Sequence, residues 1–270
     1  MITHPNCKIN LGLHVVCRRP DGYHDLQTIF VPVPLCDELE IVPASQFAFH
    51  QEGIAIDGPM DDNLCVKAYR LMTSHYPDVG PVAMRLNKQI PFGAGLGGGS
   101  SDAAFVLVML RSLFHIEVSD QRLEQLAAQI GADCPFFIRN VAAYATGIGD
   151  ILEPIHLDLS GYKMVLLKPS DAVSTREAYG GIRPNAVDRP DLRQAVNRSI
   201  DEWKDLIVND FEATVFPLHP RIAFLKDFLY RQGALYAAMS GSGSTLFGLF
   251  NKDCSVDLSA LPPSEILSVI

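Results

Sequence analysis

PFGAGLGGGSSDAA, residues 91–104, is a glycine-rich segment around which the rest of the chain is organised. Five glycines lie within residues 93–99, and such a run is usually found where the backbone turns sharply or approaches a ligand closely. Ser100 and Ser101 follow as favourable helix N-cap residues, and the apolar run after them predicts a helix. Because free backbone N–H groups and the positive end of a helix dipole meet at such a junction, we predict an anion site, with phosphate as its natural ligand.

Three nucleotide-binding interpretations of this loop differ in what surrounds the glycines. The pattern G-x-G-x-x-G at 93–98 matches a dinucleotide fingerprint, with Glu117 or Asp120 as the ribose partner. The strand before the loop alternates like an antiparallel strand, however, whereas a central parallel strand should be continuously apolar. A Walker A loop requires a lysine that this loop lacks. The third interpretation is a lysine-free loop whose amides hold a triphosphate while its serine hydroxyls contact phosphate or metal. A flexible surface turn is disfavoured, because such turns rarely lead straight into a capped apolar helix.

The composition limits the remaining classes of function. The chain has 270 residues, of which 48% are hydrophobic and 20% charged, and its net charge is −9. This balance argues against nucleic acid or an anionic membrane as a partner. No apolar run approaches the roughly 20 residues of a membrane-spanning helix, and the N-terminus lacks the apolar core of a signal peptide, so we expect a cytoplasmic protein. We expect a monomer or weak homodimer. The six cysteines and eight histidines show no zinc-binding spacing and no disulfide framework.

Alternation and helical spacing predict the elements on both sides of the loop. Residues 8–16 alternate as a half-buried strand, which places Lys8 and Asn10 on one face. Further predicted strands, thought to form an antiparallel N-terminal sheet, cover 26–33, 39–42, 47–56 and 82–86. Helical spacing begins at 64, 103 and 119. The glycines in GIGD, residues 147–150, interrupt the strand pattern, so we predict two domains, 1–150 and 151–270. In the second domain we predict strands at 164–167, 234–239 and 245–250, one short helix within 172–190 and a helix at 220–232.

Asp133 is the candidate catalytic base. It lies in GADCPFFI, residues 131–138, among apolar neighbours. An aspartate just past a helix end commonly pairs with a nearby N–H group or a cation. In apolar surroundings an ionised aspartate costs free energy unless a cation pairs with it, and Lys8 or Lys88 could supply that cation. A paired, ionised aspartate beside a substrate hydroxyl is what phosphoryl transfer uses to orient and deprotonate the nucleophile. Cys134 has no histidine partner in this pattern, so we assign it to core packing.

Several segments together resemble the GHMP kinases. Residues 91–104 resemble their phosphate loop, and SGSGS at 240–244 resembles their C-terminal glycine motif. Within the family the resemblance is greatest to the branch that phosphorylates a cytidylated methylerythritol in the non-mevalonate isoprenoid pathway. The segments that carry it are KINL at 8–11, RPDGYH at 19–24, GADCPFF at 131–137 and MSGSG at 239–243. The resemblance implies an α+β, two-domain GHMP-kinase fold, with an N-terminal domain like ribosomal protein S5 domain 2, a ferredoxin-like C-terminal domain and the site in the cleft between them.

The resemblance also implies a set of site residues for ATP-dependent phosphorylation of the 2-hydroxyl of that substrate. Asp133 matches the catalytic base, and Lys8 matches its partner lysine. The substrate-side matches are Asn10, the cytosine-recognising pair Tyr23 and His24, Tyr179 as a second aromatic that would sandwich the base, and Gly241. The ATP-side matches are Lys88, Pro91, Gly93, Ala94, Gly95, Leu96, Gly97, Gly98, Gly99, Ser100 and Ser101.

Two points stay open at this stage. ATP is the implied phosphoryl donor and Mg²⁺ is expected, but no residue is assigned as its ligand, because Asp102, an acid in the first turn of a helix, is ordinarily only a dipole partner. The alternatives to the implied activity are another GHMP small-molecule kinase and a non-catalytic nucleotide-binding sensor. The intact Lys8 and Asp133 argue against the sensor.

Overall fold

The computed structural model describes residues 1–55, 58–187 and 189–270. Among them, the strands are β1 (Ile2–Thr3), β2 (Asn6–Arg18), β3 (His24–Cys36), β4 (Glu38–Pro43), β5 (Ala48–Gly53), β6 (Val82–Lys88), β7 (Ala143–Thr146), β8 (Ile151–Pro154), β9 (Tyr162–Leu167), β10 (Tyr236–Met239), β11 (Leu246–Asn251) and β12 (Ile266–Val269). The α-helices are α1 (Leu64–His75), α2 (Gly98–Leu113), α3 (Asp120–Ala127), α4 (Phe136–Arg139), α5 (Thr175–Gly180), α6 (Leu192–Ala195), α7 (Trp203–Leu206), α8 (Glu212–Leu218) and α9 (Pro220–Arg231). Each of these helices is too short or too polar to cross a membrane.

The described residues pack into two compact units, each discontinuous in sequence. The first unit comprises Met1–Lys8, Pro32–Phe92 and Gly97–Val141, and the second comprises Ile9–Val31, Gly93–Leu96 and Ala142–Ile270. This grouping by packing differs from the predicted division into 1–150 and 151–270, which stays a prediction. The glycine loop itself contributes residues to both groups.

The first unit contains a four-stranded sheet in the order β1-β4-β6-β5. β6 alternates buried and more exposed residues, as its sequence predicts, and it pairs antiparallel with β4. It pairs parallel with β5, however, so the predicted wholly antiparallel sheet is wrong. β5 is also shorter than predicted, and Ile56, the predicted end of that strand, lies outside the described residues. Helix α2, most of whose first half is buried, packs on α1, α3 and α4 and contacts β4 of this sheet.

The second unit contains an antiparallel sheet in the order β10-β11-β9-β12. Helix α9 packs on β10 and β11 through its buried apolar stripe, as its helical spacing predicts. A third sheet has the order β2-β3-β7-β8. Sequence periodicity missed β8, β12 and the short helices α6, α7 and α8, which are too short to show a repeat.

β2 corrects one prediction about its own faces. The alternation in residues 8–16 predicts a strand with one solvated face, but both faces are buried. The polar side chains of that face, Lys8, Asn10 and His14, are exposed by 3%, 2% and 0%. Burying such groups is costly unless they are partnered or used, so this strand presents polar groups to the interior for a reason other than solvation.

Candidate active site

Lys8 and Asp133 form an ion pair within the first unit. The Lys8 Nζ lies 3.2 Å from the Asp133 Oδ2, with the lysine side chain 4% exposed and the aspartate side chain 32% exposed. Asp133 sits in the turn before α4, in which the Cys134 N–H donates to the Gly131 carbonyl at 3.1 Å. Of the two lysines that the sequence offers to Asp133, Lys8 is therefore the partner. The carboxylate is charge-balanced and still accessible, which suits a group that must receive a proton.

Cys134 is a packing residue, as predicted. Its side chain is fully buried, and burial raises the pKa of the thiol to about 12. A thiol with that pKa stays protonated at neutral pH and is not a nucleophile.

The glycines at the start of α2 allow the Lys8 side chain to lie against the helix. Gly97 has a φ of +69°, a left-handed value that favours glycine, and a Cβ there would lie 3.1 Å from the Lys8 Cε and 3.2 Å from the Phe137 Cε2. The Lys8–Asp133 pair is therefore held beside the first turn of α2. Both the lysine and the helix N-terminus favour negative charge at this place.

The helix begins earlier than the serine pattern predicts. Its N-cap is Gly97 and its first residue is Gly98, so Ser100 and Ser101 lie inside the first turn rather than at the cap. The Ser101 N–H already donates to the Gly97 carbonyl at 2.9 Å. The donors of the predicted anion site are consequently the preceding backbone N–H groups, including those of Gly98 and Gly99.

Lys88 belongs to a buried charge cluster with Asp37 and Asp102. Its Nζ donates to Asp37 Oδ2 and, at 2.9 Å, to Asp102 Oδ2. Burial alone lowers the pKa of Lys88, but the charges of Asp102 and Asp37 outweigh it and raise that pKa. Burial raises the pKa of Asp102, and the charge of Lys88 opposes that rise. Asp102 is thus a buried ion-pair residue and not a surface dipole partner as expected. The ATP-binding assignment of Lys88 stays a prediction.

A cavity of about 620 Å³ opens beside the first turn of α2, within the first unit. Gly99 and Asp102 line it on the helix side. The other described lining residues are Phe49, Gln51, Ala55, Gly58, Pro59, Met60, Asp62, Asn63, Leu64, Cys65 and Phe92. Its size and its mainly apolar wall with a few polar groups are typical of a small-molecule site. Sequence reasoning missed these residues, since they come from a strand, a turn and a helix start without a shared motif.

In the second unit, the C-terminal glycine motif supports the first half of the phosphate loop. The Ser240 Oγ donates to the Gly95 carbonyl at 2.8 Å and accepts the Asn10 N–H at 3.1 Å. A Cβ on Gly95 would lie 2.0 Å from the Ser240 carbonyl oxygen, so only glycine fits. Asn209, which no sequence pattern marked, donates through its amide to the carbonyls of Met239 (2.7 Å) and Gly241 (2.8 Å).

The Asn10 side chain is held on the same support. It is buried, and its Nδ2 donates to the Thr28 Oγ1 at 3.0 Å. This hydrogen bond sets the orientation of the Asn10 amide. Asn10 follows Lys8 on β2 by two positions, so the two residues belong to the same face of the strand. The role of Asn10 in positioning a substrate stays a prediction.

The segment RPDGYH forms the predicted turn and presents its aromatic residues. The Gly22 N–H donates to the Arg19 carbonyl at 3.1 Å, and the Tyr23 N–H donates to Asp21 Oδ1 at 3.0 Å. Tyr23 is 63% exposed. The His24 ring stacks on Tyr179 with centroids 4.6 Å apart. Burial, with the charge of Arg18, lowers the pKa of His24, which favours the neutral form of its ring.

Comparison with known proteins identifies the family. The family description "GHMP kinases N terminal domain" matches residues 63–141, and "GHMP kinases C terminal" matches residues 189–256. A crystal structure of mevalonate kinase shares the fold, with a TM-score of 0.69 at 15% identity over 94% of this chain and 92% of that one.

Closer relatives narrow the branch of that family. The chain is 51% identical to the 4-diphosphocytidyl-2-C-methyl-D-erythritol kinase of Azobacteroides pseudotrichonymphae genomovar. CFP2, over 93% of this chain and 94% of the relative. It is 50% identical to the enzyme of that name from Bacteroides thetaiotaomicron, over 94% and 93%. A crystal structure of 4-(cytidine 5'-diphospho)-2C-methyl-D-erythritol kinase superposes with a TM-score of 0.79 and 37% identity, over 92% of this chain and 90% of the other.

The chain therefore belongs to the GHMP kinases, and within them to the 4-diphosphocytidyl-2-C-methyl-D-erythritol kinase family. The predicted α+β, two-domain GHMP-kinase fold is confirmed. GHMP kinases use ATP as phosphoryl donor, which confirms the expected nucleotide.

Proposed function

We propose that this chain transfers the γ-phosphoryl group of ATP to the 2-hydroxyl of 4-diphosphocytidyl-2-C-methyl-D-erythritol. The observation that carries the proposal is the Lys8–Asp133 ion pair, 3.2 Å long, beside the N-terminus of α2. An anionic group held by the helix start and an alcohol beside Asp133 would bring together the two reactants of a phosphoryl transfer.

The nucleotide half of the reaction is assigned to the first unit. The 620 Å³ cavity accommodates a nucleoside between its apolar walls, and Asn63 and Gln51 offer polar groups to the base. The phosphates then extend to the backbone N–H groups of Gly98 and Gly99, where the helix dipole favours negative charge.

Chemistry follows from the charges around Asp133. As the substrate hydroxyl oxygen bonds to the γ-phosphorus and the bond to ADP breaks, the hydroxyl proton passes to the Asp133 carboxylate. The buried ammonium of Lys8, 3.2 Å away, holds that carboxylate in an ion pair and stabilises negative charge on the transferring group during the step.

Cytidine recognition is assigned to the aromatic residues of the second unit. A neutral His24 ring has one N–H donor and one acceptor, and these can pair with the polar edge of cytosine. Its stack on Tyr179 fixes the plane of the ring, and the exposed Tyr23 ring offers a face for a base to stack on.

The finer assignments belong to the same proposal. Mg²⁺ would reach the site on the ATP phosphates and keep several water ligands. This fits the donor set, since the described part of the chain contains no cluster of three histidine, cysteine, aspartate or glutamate side chains suited to a metal. We further propose a cytoplasmic monomer or weak homodimer that binds neither nucleic acid nor membrane.

Replacing Asp133 by Asn tests the proposal, because it keeps the side-chain shape and removes the base. We expect the turnover of the cytidylated substrate to fall by roughly 10² to 10⁴, while binding of ATP measured by calorimetry is retained. The exposed Asp78→Asn serves as the matched control and should keep full activity. Near-normal turnover by the Asp133 variant would refute the assignment. Wild-type turnover of galactose or mevalonate instead would favour another GHMP kinase, and ATP binding without transfer would favour a sensor.

A further inference from the structure

The two ends of the phosphate loop are joined by one buried ion pair. Lys88 is the last residue of β6, directly before the loop, and Asp102 is the fifth residue of α2, directly after the loop's last serine. The Lys88 Nζ and the Asp102 Oδ2 are 2.9 Å apart, and the two side chains are 0% and 2% exposed. The glycine-rich segment 89–101 is therefore closed at its base by a charged contact that water does not screen.

Asp37 extends this contact to the backbone that enters the loop. Its Oδ2 accepts from the Lys88 Nζ, and its Oδ1 accepts the N–H groups of Gln89 (2.5 Å) and Ile90 (2.8 Å). One carboxylate thus fixes the lysine and the two residues that follow it.

The first residue of α2 rests directly on this cluster. Gly98 has no side chain, and a Cβ at this position would lie 2.9 Å from the Lys88 Nζ and 2.7 Å from the Ile90 Cγ2. The Lys88 ammonium is fully buried and bonded to two carboxylates, so it has no exposed surface to present to a nucleotide. Its influence on bound phosphate must therefore pass through the loop backbone.

We propose that Asp37, Lys88 and Asp102 form a loop clamp whose role is to hold the N-terminus of α2 at the position that binds the ATP phosphates. This inference rests on the proposed kinase function. It makes the three side chains positioning residues, with Lys88 acting beneath the loop and not on the nucleotide. A buried ion pair is weak evidence for stability, because desolvation offsets its attraction, whereas fixing a geometry is its best-attested use. Because the backbone N–H groups at the start of α2 are the proposed phosphate donors, a shift of this helix start moves them away from the phosphates and weakens ATP binding.

A double-mutant cycle separates the clamp from direct nucleotide contact. The variants are Lys88→Met, Asp102→Leu and the double variant K88M/D102L, each assayed for KM of ATP, KM of the cytidylated alcohol and kcat. For a clamp, Lys88→Met leaves the buried Asp37 and Asp102 without their cation, and Asp102→Leu removes the contact that joins the two ends of the loop. In both variants we therefore expect the KM of ATP to rise about tenfold or more, with a smaller change in kcat and none in the KM of the alcohol. The double variant raises the KM of ATP by less than the product of the two single effects, because both substitutions remove the same contact between Lys88 and Asp102.

Direct contact gives a different pattern and would overturn the clamp. In that case Asp102→Leu keeps a near-wild-type KM for ATP, and the double variant is as defective as Lys88→Met. Should Asp102→Leu fail to fold, Asp102→Asn keeps the shape while removing the charge, and an unchanged KM for ATP in that variant counts against the clamp.

A stability control and the wild type complete the experiment. Leu123→Ala, in the buried face of α3, destabilises the same unit without touching the cluster and should leave the KM of ATP unchanged. An equal rise in that variant would reduce the clamp to general stability and overturn it. Failure of the wild type to phosphorylate the alcohol refutes the proposed function instead, so the two failures are distinguishable.

Discussion

Gly98 and Gly99 are adjacent residues in the first turn of α2, and we predict opposite responses to alanine. Both have right-handed helical backbone, so alanine should favour the helix by up to about 1 kcal/mol at each position. The space around them differs. At Gly98 a Cβ would lie 2.7 Å from the Ile90 Cγ2 and 2.9 Å from the Lys88 Nζ, whereas at Gly99 its nearest neighbour would be the Leu64 Cδ1 at 3.5 Å.

The clash at Gly98 outweighs the gain in helix propensity. A lysine end would ordinarily move aside at little cost, but the Lys88 Nζ is bonded to two buried carboxylates, and the Ile90 side chain is fully buried. Overpacking of this kind costs about 1–3 kcal/mol. We therefore expect Gly98→Ala to lower the free energy of unfolding by about 1–2 kcal/mol net, and Gly99→Ala to leave it unchanged or raise it by up to about 1 kcal/mol.

Urea denaturation of the two variants and the wild type, followed by circular dichroism, measures this difference. The two variants differ only in which of two neighbouring positions carries the methyl group, so each is the control for the other. The reasoning is refuted if Gly98→Ala is as stable as the wild type, or if Gly99→Ala loses as much stability as Gly98→Ala.

Two further predictions concern buried polar groups of the second unit. His14 is fully buried, neither ring nitrogen has a hydrogen-bond partner among the described residues, and burial, with the charge of Arg189, lowers its pKa below 6.5. Below about pH 6.5 the imidazole therefore binds a proton more readily in the unfolded chain than in the folded one. As the pH decreases through this range, the free energy of unfolding decreases by at most about 1.4 kcal/mol per pH unit. We expect His14→Phe to lose less stability than the wild type between pH 7.5 and 5 in urea titrations, and equal losses would contradict this. Asn209→Ala leaves the carbonyls of Met239 and Gly241 without their amide donor. We therefore expect the free energy of unfolding to fall by about 2–4 kcal/mol and the KM of the alcohol to rise in steady-state assays. An unchanged KM would contradict a role of Asn209 in holding the glycine motif.

Local sequence determined the elements that flank the phosphate loop. The alternation in residues 82–86 and the helical spacing after Ser119 correspond to β6 and α3, with Ser119 as the N-cap. Such elements can be predicted from local sequence, because the side chains of a strand repeat every two residues and those of a helix every 3.6 residues. The start of α2 was predicted too late, since Gly97 acts as the cap through its left-handed backbone and not through a side chain.

The sequence alone therefore identified the glycine loop, the Asp133 segment and the resemblance of both to the GHMP kinases. From the sequence, either Lys8 or Lys88 could be the cation that pairs with Asp133. In the tertiary structure Lys8 is that partner. Lys88 is buried between Asp37 and Asp102 instead. The same holds for Asp102, which the sequence predicts as a dipole partner in a first helical turn, whereas it lies just beyond that turn and pairs with the buried Lys88. The physical reason is that an ion pair depends on distance and on exclusion of water, and both are set by how segments remote in sequence pack together.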